Sequence, residues 1–357
     1  MTQTLEDLGG WRGVLSRVAA REDLSASESA LVLGEILAGN ATPAQIAAVM
    51  FGLRCKGETV EEMTGMVSAM LAAAERVDLP ADLAGRVIDT CGTGGDRSGT
   101  INVSTIAALV VAGAGVPVCK HGGRAASSQA GSADVLEALG VAIELDPDGV
   151  ARCVTEAGIG FCFAPRYHPA MRHAIPVRRE LGVPTAFNFL GPLANPARVR
   201  RQVVGVGDPS MAARMVAVLA AGGASRVMVV HGAGGLDELS TAGPSTVHEY
   251  RDGAFEEHTV DPVELGLAPA ALEDLRGGDA ATNAGLARRV LQGESGPRRD
   301  IVVLNAAAGL VVGGASPDLR SGIELAGTVI DDGRAWSCLE RLISSSQAAG
   351  AVHPPDR

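Results

Sequence analysis

A glycine-rich segment that follows a short apolar run most constrains what this chain can fold into. It reads Asp89-Thr-Cys-Gly-Thr-Gly-Gly-Asp96, and polar residues continue it to Thr105. Glycine lets backbone N–H groups approach an anion closely, and a helix N-terminus adds unpaired N–H donors and a partial positive charge. The segment lacks the Gly-Lys-Ser/Thr ending of a P-loop and the Gly-x-Gly-x-x-Gly pattern of a dinucleotide fold. It therefore predicts a strand, a turn that binds phosphate or pyrophosphate, and a helix that begins near Val103.

Glycine-rich turns after strands also occur without a ligand, and that interpretation stays open for the glycines alone. The polar side chains around them favour a ligand, because a turn rarely needs so many; they are Asp89, Asp96, Asn102, Ser104 and Thr105. Polar side chains in this position can also cap the helix that follows.

Beyond residue 80, short apolar runs alternate with helical patterns. We predict strands at 87–88, 116–119, 161–163, 202–206, 227–230 and 301–304, and helices at 104–112, 132–139 and 284–291, with others opening at Asp146-Pro147 and Asp208-Pro209. Such alternation is typical of a mostly parallel sheet with helices on both faces. The chain is therefore expected to be an α/β protein, with a loose tail after about residue 345.

The N-terminal part is predicted to be a small helical domain. Residues 11–78 carry apolar side chains at helical spacing and three capping boxes, at Ser25 and Glu28, Thr42 and Gln45, and Thr59 and Glu62. The strand–helix rhythm breaks again at 168–196, which we expect to pack on the N-terminal helices. This organisation predicts a discontinuous helical domain of 1–82 and 168–198, joined by a hinge to an α/β domain of 83–167 and 199–357.

Composition narrows the classes of function. The formal charge of −11 and the pI of about 5.2 disfavour a nucleic-acid-binding protein. The six cysteines include no Cys-x-x-Cys pair, which disfavours a metal or disulfide framework and suits a reducing compartment. The N-terminus has no basic region followed by an apolar core, and the longest apolar stretch is too short to span a bilayer. We expect a cytoplasmic protein without a nucleic-acid or membrane partner.

Three further polar clusters follow predicted strands, at the edge where open α/β sheets usually bind ligands. The run Lys120-His-Gly-Gly-Arg124-Ala-Ala-Ser-Ser128 suits a polyanion, although a solvated basic turn would look the same. The segment from Pro165 to Arg179 offers arginines that could bind a carboxylate in bidentate fashion, or could be structural. The adjacent acids Asp237 and Glu238 lie in a glycine-flanked loop and suit Mg²⁺, which prefers few carboxylates together with phosphate oxygens.

Together these clusters comprise a phosphate-binding turn, a basic loop, an acidic metal loop and a pocket for a carboxylate. They indicate transfer of a group that carries pyrophosphate, in which the protein mainly positions the reactants and stabilises charge. The sequence has no Ser/His/Asp order worth proposing and no His-Glu-x-x-His, and no catalytic base is assigned.

These segments, in this order, resemble those of the anthranilate phosphoribosyltransferases over nearly the whole chain. The stretches that carry the resemblance are 89–96, 102–105, 120–140, 161–196, 235–240 and 296–308. The resemblance implies the type III phosphoribosyltransferase fold, a helical domain plus an α/β domain, and a homodimer formed through the helical domain. It implies transfer of the 5-phosphoribosyl group of phosphoribosyl pyrophosphate (PRPP) to the amine of anthranilate in tryptophan biosynthesis, with one or two Mg²⁺ per subunit in the hinge cleft.

The resemblance also implies roles for individual residues. PRPP would be bound by Gly92, Thr93, Gly94, Gly95, Asp96, Thr100, Asn102, Ser104, Thr105, Lys120, Ser128 and Gly131. Anthranilate would contact Gly92, His121, Gly123, Pro165, Tyr167, Arg178 and Gly191, and Arg178 would grip its carboxylate. Mg²⁺ would be held by Ser104, Asp237 and Glu238.

One position departs from the family pattern. The usual motif is Lys-His-Gly-Asn-Arg, and this chain has Gly123 in place of the asparagine, which borders the ribose and the acceptor amine. An acceptor other than anthranilate, such as another aromatic acid or amine of specialised metabolism, therefore stays open. Two relatives of the same fold also stay open, a pyrimidine nucleoside phosphorylase and a nucleic-acid-binding protein.

Overall fold

The computed structural model describes residues 3–96, 98–125 and 129–352. Its centre is a seven-stranded sheet in the order β3-β2-β1-β4-β5-β6-β7. The strands are β1 (Ile88–Gly92), β2 (Val118–Gly122), β3 (Ile159–Phe163), β4 (Arg201–Gly205), β5 (Arg226–His231), β6 (Ser245–Arg251) and β7 (Ala254–Val260). Strands β1 to β5 are parallel, and β6 and β7 add an antiparallel hairpin at one edge. The prediction of a mostly parallel sheet is confirmed, whereas the hairpin was not predicted.

Helices cover both faces of this sheet and form a bundle at the N-terminus. They are α1 (Gly10–Ala19), α2 (Ala26–Leu37), α3 (Pro43–Lys56), α4 (Val60–Ala72), α5 (Ala81–Ala84), α6 (Val103–Gly113), α7 (Ser132–Leu139), α8 (Pro147–Ala157), α9 (Ala164–Tyr167), α10 (Ile175–Leu181), α11 (Leu190–Leu193), α12 (Ala212–Ala221), α13 (Ala280–Leu291), α14 (Pro297–Gly313), α15 (Leu319–Asp331) and α16 (Arg334–Val352). Short 3₁₀ turns include Pro169–His173, Ala186–Asn188 and Leu272–Leu275. An α/β fold with a helical N-terminal part is therefore confirmed.

The three capping boxes begin α2, α3 and α4 as predicted. In each, the hydroxyl of Ser25, Thr42 or Thr59 accepts a hydrogen bond from the backbone N–H three residues later. The Glu or Gln at that later position accepts in return from the N–H of the capping residue. This reciprocal pairing satisfies two donors that a helix start would otherwise leave free, and it depends on local sequence alone.

Alternate residues of the central strands pack against different layers. On β4, the side chain of Val204 joins the apolar cluster of the N-terminal helices, and that of Val203 joins the cluster around α14. Elements between Pro169 and Leu193 contact α2, α3 and α4 and share the first cluster. The division into two domains at residues 82, 167 and 198 stays a prediction.

The strand predicted at 301–304 is wrong, because these residues lie inside α14. Ile301, Val302 and Leu304 are fully buried there, and α14 packs against α6 and α15. A helix surrounded by apolar neighbours has no polar face, so its sequence lacks helical periodicity and a short apolar run resembles a buried strand.

The loose tail predicted after residue 345 is wrong as far as Val352, where α16 ends. The hydroxyl of Ser346 is part of the reason, because it accepts a hydrogen bond of 3.0 Å from the backbone N–H of Ala142. Among the described residues, no helix is both long and apolar enough to cross a membrane.

Candidate active site

The loops that follow β1, β4 and β5 meet at the carboxyl edge of the parallel strands. The N–H of Thr93 donates to the carbonyl of Gly205 at 2.9 Å, and the Thr93 hydroxyl accepts from the N–H of Gly207 at 3.2 Å. Gly94 and Gly95 follow with positive φ angles of 66° and 81°, a conformation that glycine adopts without strain. The glycine-rich loop is therefore tied to the end of β4.

The two adjacent acids after β5 lie against this loop and against the start of α6. Asp237 Oδ2 accepts a hydrogen bond of 2.7 Å from the N–H of Gly94, and Glu238 Oε1 accepts one of 3.0 Å from the N–H of Ser104. Burial, followed by repulsion from neighbouring acids, raises the pKa of both carboxyls above its ordinary value. A pair of carboxylates in this setting gains from a bound cation, which would relieve both effects.

Three glycines make room for the acidic loop. A Cβ atom at Gly92 would lie 2.3 Å from Asp237 Oδ2, one at Gly205 would lie 1.5 Å from the Asp237 carbonyl oxygen, and one at Gly232 would lie 2.2 Å from the Glu238 carbonyl oxygen. Contacts this short are far inside van der Waals distance. The positions of Asp237 and Glu238 therefore depend on glycine at the ends of three strands.

Lys120 is buried beneath the same loops. Its ammonium group donates to the carbonyl oxygen of Thr90 and to Ser104 Oγ, the latter at 3.3 Å. Only 2% of the residue is exposed. Its charge therefore lies directly behind the start of α6, where a phosphate group on the helix N-terminus would benefit from it.

Asp89 lies behind the residues described so far and binds the backbone and side chains that support them. Its carboxylate accepts hydrogen bonds from the N–H of His121 at 3.2 Å and from Asn195 Nδ2 at 2.8 Å, and it is fully buried. Burial raises its pKa, and the charge of Lys120 opposes this rise. The two hydrogen bonds connect Asp89 on β1 to β2, the strand that carries Lys120 and His121, and to the loop that carries Asn195.

Asn102 does not cap α6 with its side chain, contrary to one option that the sequence left open. Its Nδ2 donates to the carbonyl of Ala130 at 3.1 Å, and its Oδ1 accepts from Asn283 Nδ2 at 2.9 Å. The N–H of Ser104 in the first turn pairs instead with Glu238. Asn102 thus ties the glycine-rich segment to the loop that follows β2 and to α13.

The remaining residues predicted for PRPP line the neighbouring loops. Ser98 Oγ donates to Asp96 Oδ2 at 2.6 Å and lies 3.2 Å from the hydroxyl of Thr100. The hydroxyl of Thr105 is buried and finds no partner among the described residues. The N–H of Gly131 donates to Asp134 at 2.8 Å, whereas Ser128 lies outside the part of the chain that the structure describes.

His121 and Gly191 form the other side of the cleft. His121 Nδ1 lies 3.0 Å from the carbonyl oxygen of Gly191, so this nitrogen carries the proton and Nε2 has the free lone pair. Within the described residues, the buried Nε2 atom has no hydrogen-bond partner. Burial is the main cause that lowers the pKa of His121 to about 3, so the ring is a neutral acceptor near pH 7.

Arg178 on α10 is half-buried, and no ion pair or side-chain hydrogen bond to it occurs among the described residues. Burial lowers its pKa, although an arginine remains charged near neutral pH. Pro165 is exposed, and among the described residues a Cβ atom at Gly123 would have one neighbour within 4 Å, the Ala164 Cβ at 3.9 Å. Within the described part of the chain, these positions thus offer an unpaired guanidinium at Arg178, an exposed apolar ring at Pro165 and space beside Gly123.

Tyr167 lies deeper than its exposed neighbour Pro165. The residue is fully buried in the core of the α/β part, and its hydroxyl donates to the carbonyl oxygen of Leu145 at 3.1 Å. The local sequence Pro-Arg-Tyr-His gives no sign of this burial, because the partner, Leu145, comes from a distant segment. The contact of Tyr167 with an acceptor stays a prediction.

Comparisons with known proteins match this geometry. The family model described as "Glycosyl transferase family, a/b domain" matches residues 84–336. The model described as "Glycosyl transferase family, helical bundle domain" matches residues 12–74. An anthranilate phosphoribosyltransferase of Salinispora arenicola is 53% identical over 349 residues, 96% of this chain and 98% of that protein. The chain belongs to the anthranilate phosphoribosyltransferase family.

Solved structures of the family agree. The crystal structure of the anthranilate phosphoribosyltransferase from Thermus thermophilus superposes with a TM-score of 0.88 at 44% identity, covering 93% of this chain and 99% of that one. The Saccharomyces cerevisiae enzyme, solved in complex with PRPP and Mg, has a TM-score of 0.84 at 28% identity and covers 95% and 98%. The family fold expected from the sequence is therefore confirmed.

The chemistry of the acidic pair suits Mg²⁺, the cation present in the Saccharomyces cerevisiae structure. No group of three or more His, Cys, Asp or Glu side chains that could hold a metal occurs among the described residues. Mg²⁺ does not need such a group, because it usually binds one or two carboxylates and takes its other ligands from water and substrate phosphates. Two buried carboxylates of raised pKa beside the glycine-rich loop supply the protein's share of such a site.

Sequence reasoning missed several residues that shape the site. Gly205 and Gly232 give room to the acids, Asn283 holds Asn102, and Asn305 on α14 binds the backbone next to Glu238. The sequence of 296–308 carried the family resemblance, but it offered no chemical sign of what Asn305 contacts. Only the fold brings α14 to the acidic loop.

Proposed function

We propose that this chain transfers the 5-phosphoribosyl group of PRPP to the amine of anthranilate and releases pyrophosphate. The observation that carries the proposal is the pair of hydrogen bonds from Gly94 to Asp237 and from Ser104 to Glu238. These bonds join a metal-type acid pair to a glycine-rich loop and a helix N-terminus in one cleft. A pyrophosphate and its cation need these parts side by side.

The phosphates would be bound by the glycine-rich loop, the start of α6 and Lys120. Asp237, Glu238 and Ser104 would hold one or two Mg²⁺ per subunit. When bound, Mg²⁺ neutralises charge on the phosphate oxygens and so stabilises the leaving group. The protein supplies fixed donors and a buried positive charge, which need no rearrangement during the reaction.

The acceptor would lie between His121 and Arg178. The guanidinium of Arg178 would bind the carboxylate of anthranilate, and His121 Nε2 would accept a hydrogen bond from its amine. The amine nitrogen attacks C1 of the ribose, the bond from C1 to the pyrophosphate oxygen breaks, and its electron pair leaves with pyrophosphate. Because His121 has a strongly lowered pKa, it orients the amine, and the released proton passes to water.

A variant of Arg178 tests this assignment. Arg178→Lys keeps the charge and loses the planar two-donor geometry, so the KM for anthranilate should rise about ten-fold or more while the KM for PRPP stays unchanged. Arg179→Lys is the matched control, because Arg179 is the exposed neighbour on the same helix. An unchanged KM for anthranilate in Arg178→Lys would contradict the acceptor site.

A homodimer through the N-terminal helices is the second part of the proposal. Phe51 on α3 is 50% exposed, and Trp11 and Leu15 of the adjoining α1 are only partly buried. Burial of Phe51 against a partner subunit would remove this apolar surface from water, which supports a subunit contact on this face. Phe51→Asp should shift the sedimentation coefficient toward that of a monomer, and an unchanged coefficient would count against this face.

A further inference from the structure

We infer that Asn305 is a positioning residue for the Asp237–Glu238 pair. It lies on α14, 66 residues from Leu239 in sequence, and it grips the backbone of that residue from both sides. Asn305 Oδ1 accepts from the N–H of Leu239 at 2.9 Å, and Asn305 Nδ2 donates to the carbonyl oxygen of Leu239 at 2.8 Å. This inference rests on the proposed function, since it concerns the metal site of that reaction.

The first of these bonds fixes the peptide plane that Glu238 shares with Leu239. The N–H of Leu239 belongs to the peptide bond whose carbonyl is that of Glu238, so its direction sets how the Glu238 side chain leaves the backbone. Asn305 is itself held, because Nδ2 also donates to the carbonyl of Ile301 at 2.9 Å in the preceding turn of α14. Through these hydrogen bonds, the position of the Glu238 carboxylate is fixed relative to α14, a rigid, buried helix.

Water cannot replace this support without a rearrangement. Leu239 is fully buried, and its side chain packs in the cluster that holds Leu304 and Ala308 of α14. Asn305 is only 3% exposed. Removing the amide would leave a buried N–H and a buried C=O without partners, a state that a loop avoids by moving.

Among the described residues, Asn305 provides the hydrogen bonds that connect the backbone of the acidic loop to α14. Before the pair, the N–H of Gly232 donates to the carbonyl of Leu236 at 2.9 Å, and after it the N–H of Ser240 donates to Ser245 Oγ at 2.9 Å. These bonds close the loop on itself or on the start of β6. The bonds from Asn305 connect the residue next to Glu238 to α14, which also packs against α6, the helix whose Ser104 N–H binds Glu238.

The test is metal affinity measured apart from catalysis. Mn²⁺ is titrated into the full-length protein with PRPP present and no acceptor, and free Mn²⁺ is followed by electron paramagnetic resonance. Asn305→Leu keeps the volume and removes both hydrogen bonds, and Asn305→Ala is a second variant that makes smaller demands on packing. Leu310→Ala is the matched control, since Leu310 is fully buried on the same helix and packs in a different apolar cluster from Leu239.

Both Asn305 variants should raise the Kd for Mn²⁺ by about ten-fold or more, as is typical when a group that orients a metal ligand is lost. Leu310→Ala should lower the melting temperature at least as much and leave the Kd for Mn²⁺ unchanged. Wild-type affinity in a folded Asn305 variant, or an equal loss of affinity in Leu310→Ala, would overturn the inference alone. Failure of the wild-type chain to bind Mn²⁺ with PRPP would overturn the metal site and the inference together.

Discussion

The rings of His121 and His168 lie with their centroids 5.0 Å apart and their planes inclined by 56°. One nitrogen of each ring lies 3.0 Å from a backbone carbonyl oxygen, that of Gly191 for His121 and that of Ala194 for His168. Burial, the largest cause in each case, lowers the pKa of His121 to about 3 and that of His168 to about 4. Two adjacent buried imidazoles are therefore neutral when the protein is folded near pH 7.

This pair predicts acid sensitivity of the fold. Because both pKa values lie below 6.5, the ordinary value, the unfolded chain binds more protons than the folded one between pH 6.5 and about 4. The contribution of the two neutral rings to the free energy of unfolding is complete above pH 6.5 and is lost as the pH falls through this window. For His168 alone, the free energy of unfolding should fall by about 2 kcal/mol from pH 7.5 to pH 5. Urea unfolding at the two pH values measures this.

His168→Gln should reduce this pH dependence, whereas His173→Gln, which changes a half-buried histidine outside the pair, should leave it as in the wild type. Equal pH dependence in wild type and His168→Gln would show that the buried pair is not its source.

The acidic pair predicts opposite effects on activity and stability. Asp237→Asn combined with Glu238→Gln keeps acceptors for the N–H groups of Gly94 and Ser104 and removes two buried charges. We expect kcat/KM to fall about 100-fold or more, as when an electrostatic stabiliser is removed, and its Mg²⁺ dependence to be lost or shifted. The melting temperature without Mg²⁺ should stay the same or rise, because burial disfavours both charges.

The adjacent acids Glu256 and Glu257 provide the control for that variant. They are exposed on β7, and Glu256→Gln with Glu257→Gln should change neither activity nor Mg²⁺ dependence. Wild-type Mg²⁺ dependence in the Asp237/Glu238 double variant would remove the metal assignment.

Gly205→Ala should disable the site without touching a functional group. The new Cβ atom would lie 1.5 Å from the Asp237 carbonyl oxygen, so the acidic loop must move away from the glycine-rich loop. Activity should fall about 100-fold. Gly285→Ala is the control, because among the described residues its Cβ would meet only Arg289 Nη1, at 3.9 Å. Alanine in a helix interior should raise the free energy of unfolding by about 0.5–1 kcal/mol relative to glycine. Retained activity in Gly205→Ala would mean that the loop position is not required.

Local signals in the sequence predicted a large part of this structure. The capping boxes at Ser25, Thr42 and Thr59 and the strand, turn and helix around Gly94 all depend on residues within a few positions of one another. The failures have the opposite origin. Ile301 and Leu304 lie in a stretch of α14 that is buried on every side, and this removes the periodicity that distinguishes helix from strand.

The same contrast between local signals and long-range contacts holds for the candidate site. The types of residue at Lys120, Asp237 and Glu238 suggested a polyanion and a metal, and the structure brings Lys120 and Glu238 to the same residue, Ser104. Which groups bind one another was not predictable, since Ser104 and Glu238 are 134 residues apart and Asn305 and Leu239 are 66 apart. The burial of Tyr167 in the core was not predictable from its neighbours either, since its hydroxyl bonds to Leu145, 22 residues away.

The space beside Gly123 predicts that a larger residue is tolerated there, and such a variant identifies the acceptor. Among the described residues, a Cβ atom there would meet Ala164 alone, at 3.9 Å, so Gly123→Asn should fold with a melting temperature near that of the wild type. If anthranilate is the acceptor, the added amide should preserve or improve its turnover through a hydrogen bond worth about 1 kcal/mol, seen as a lower KM. A loss of turnover on the native acceptor, with anthranilate use rising from near zero, would show that Gly123 selects a different acceptor.

The central claim is tested most directly by the products of the wild-type protein. Incubated with PRPP, Mg²⁺ and anthranilate, it should release pyrophosphate and form N-(5-phosphoribosyl)anthranilate in equal amounts, as measured by liquid chromatography with mass detection, and it should form neither without Mg²⁺. Pyrophosphate release with another aromatic amine or acid but not with anthranilate, or phosphate-dependent cleavage of a pyrimidine nucleoside in its place, would contradict the account.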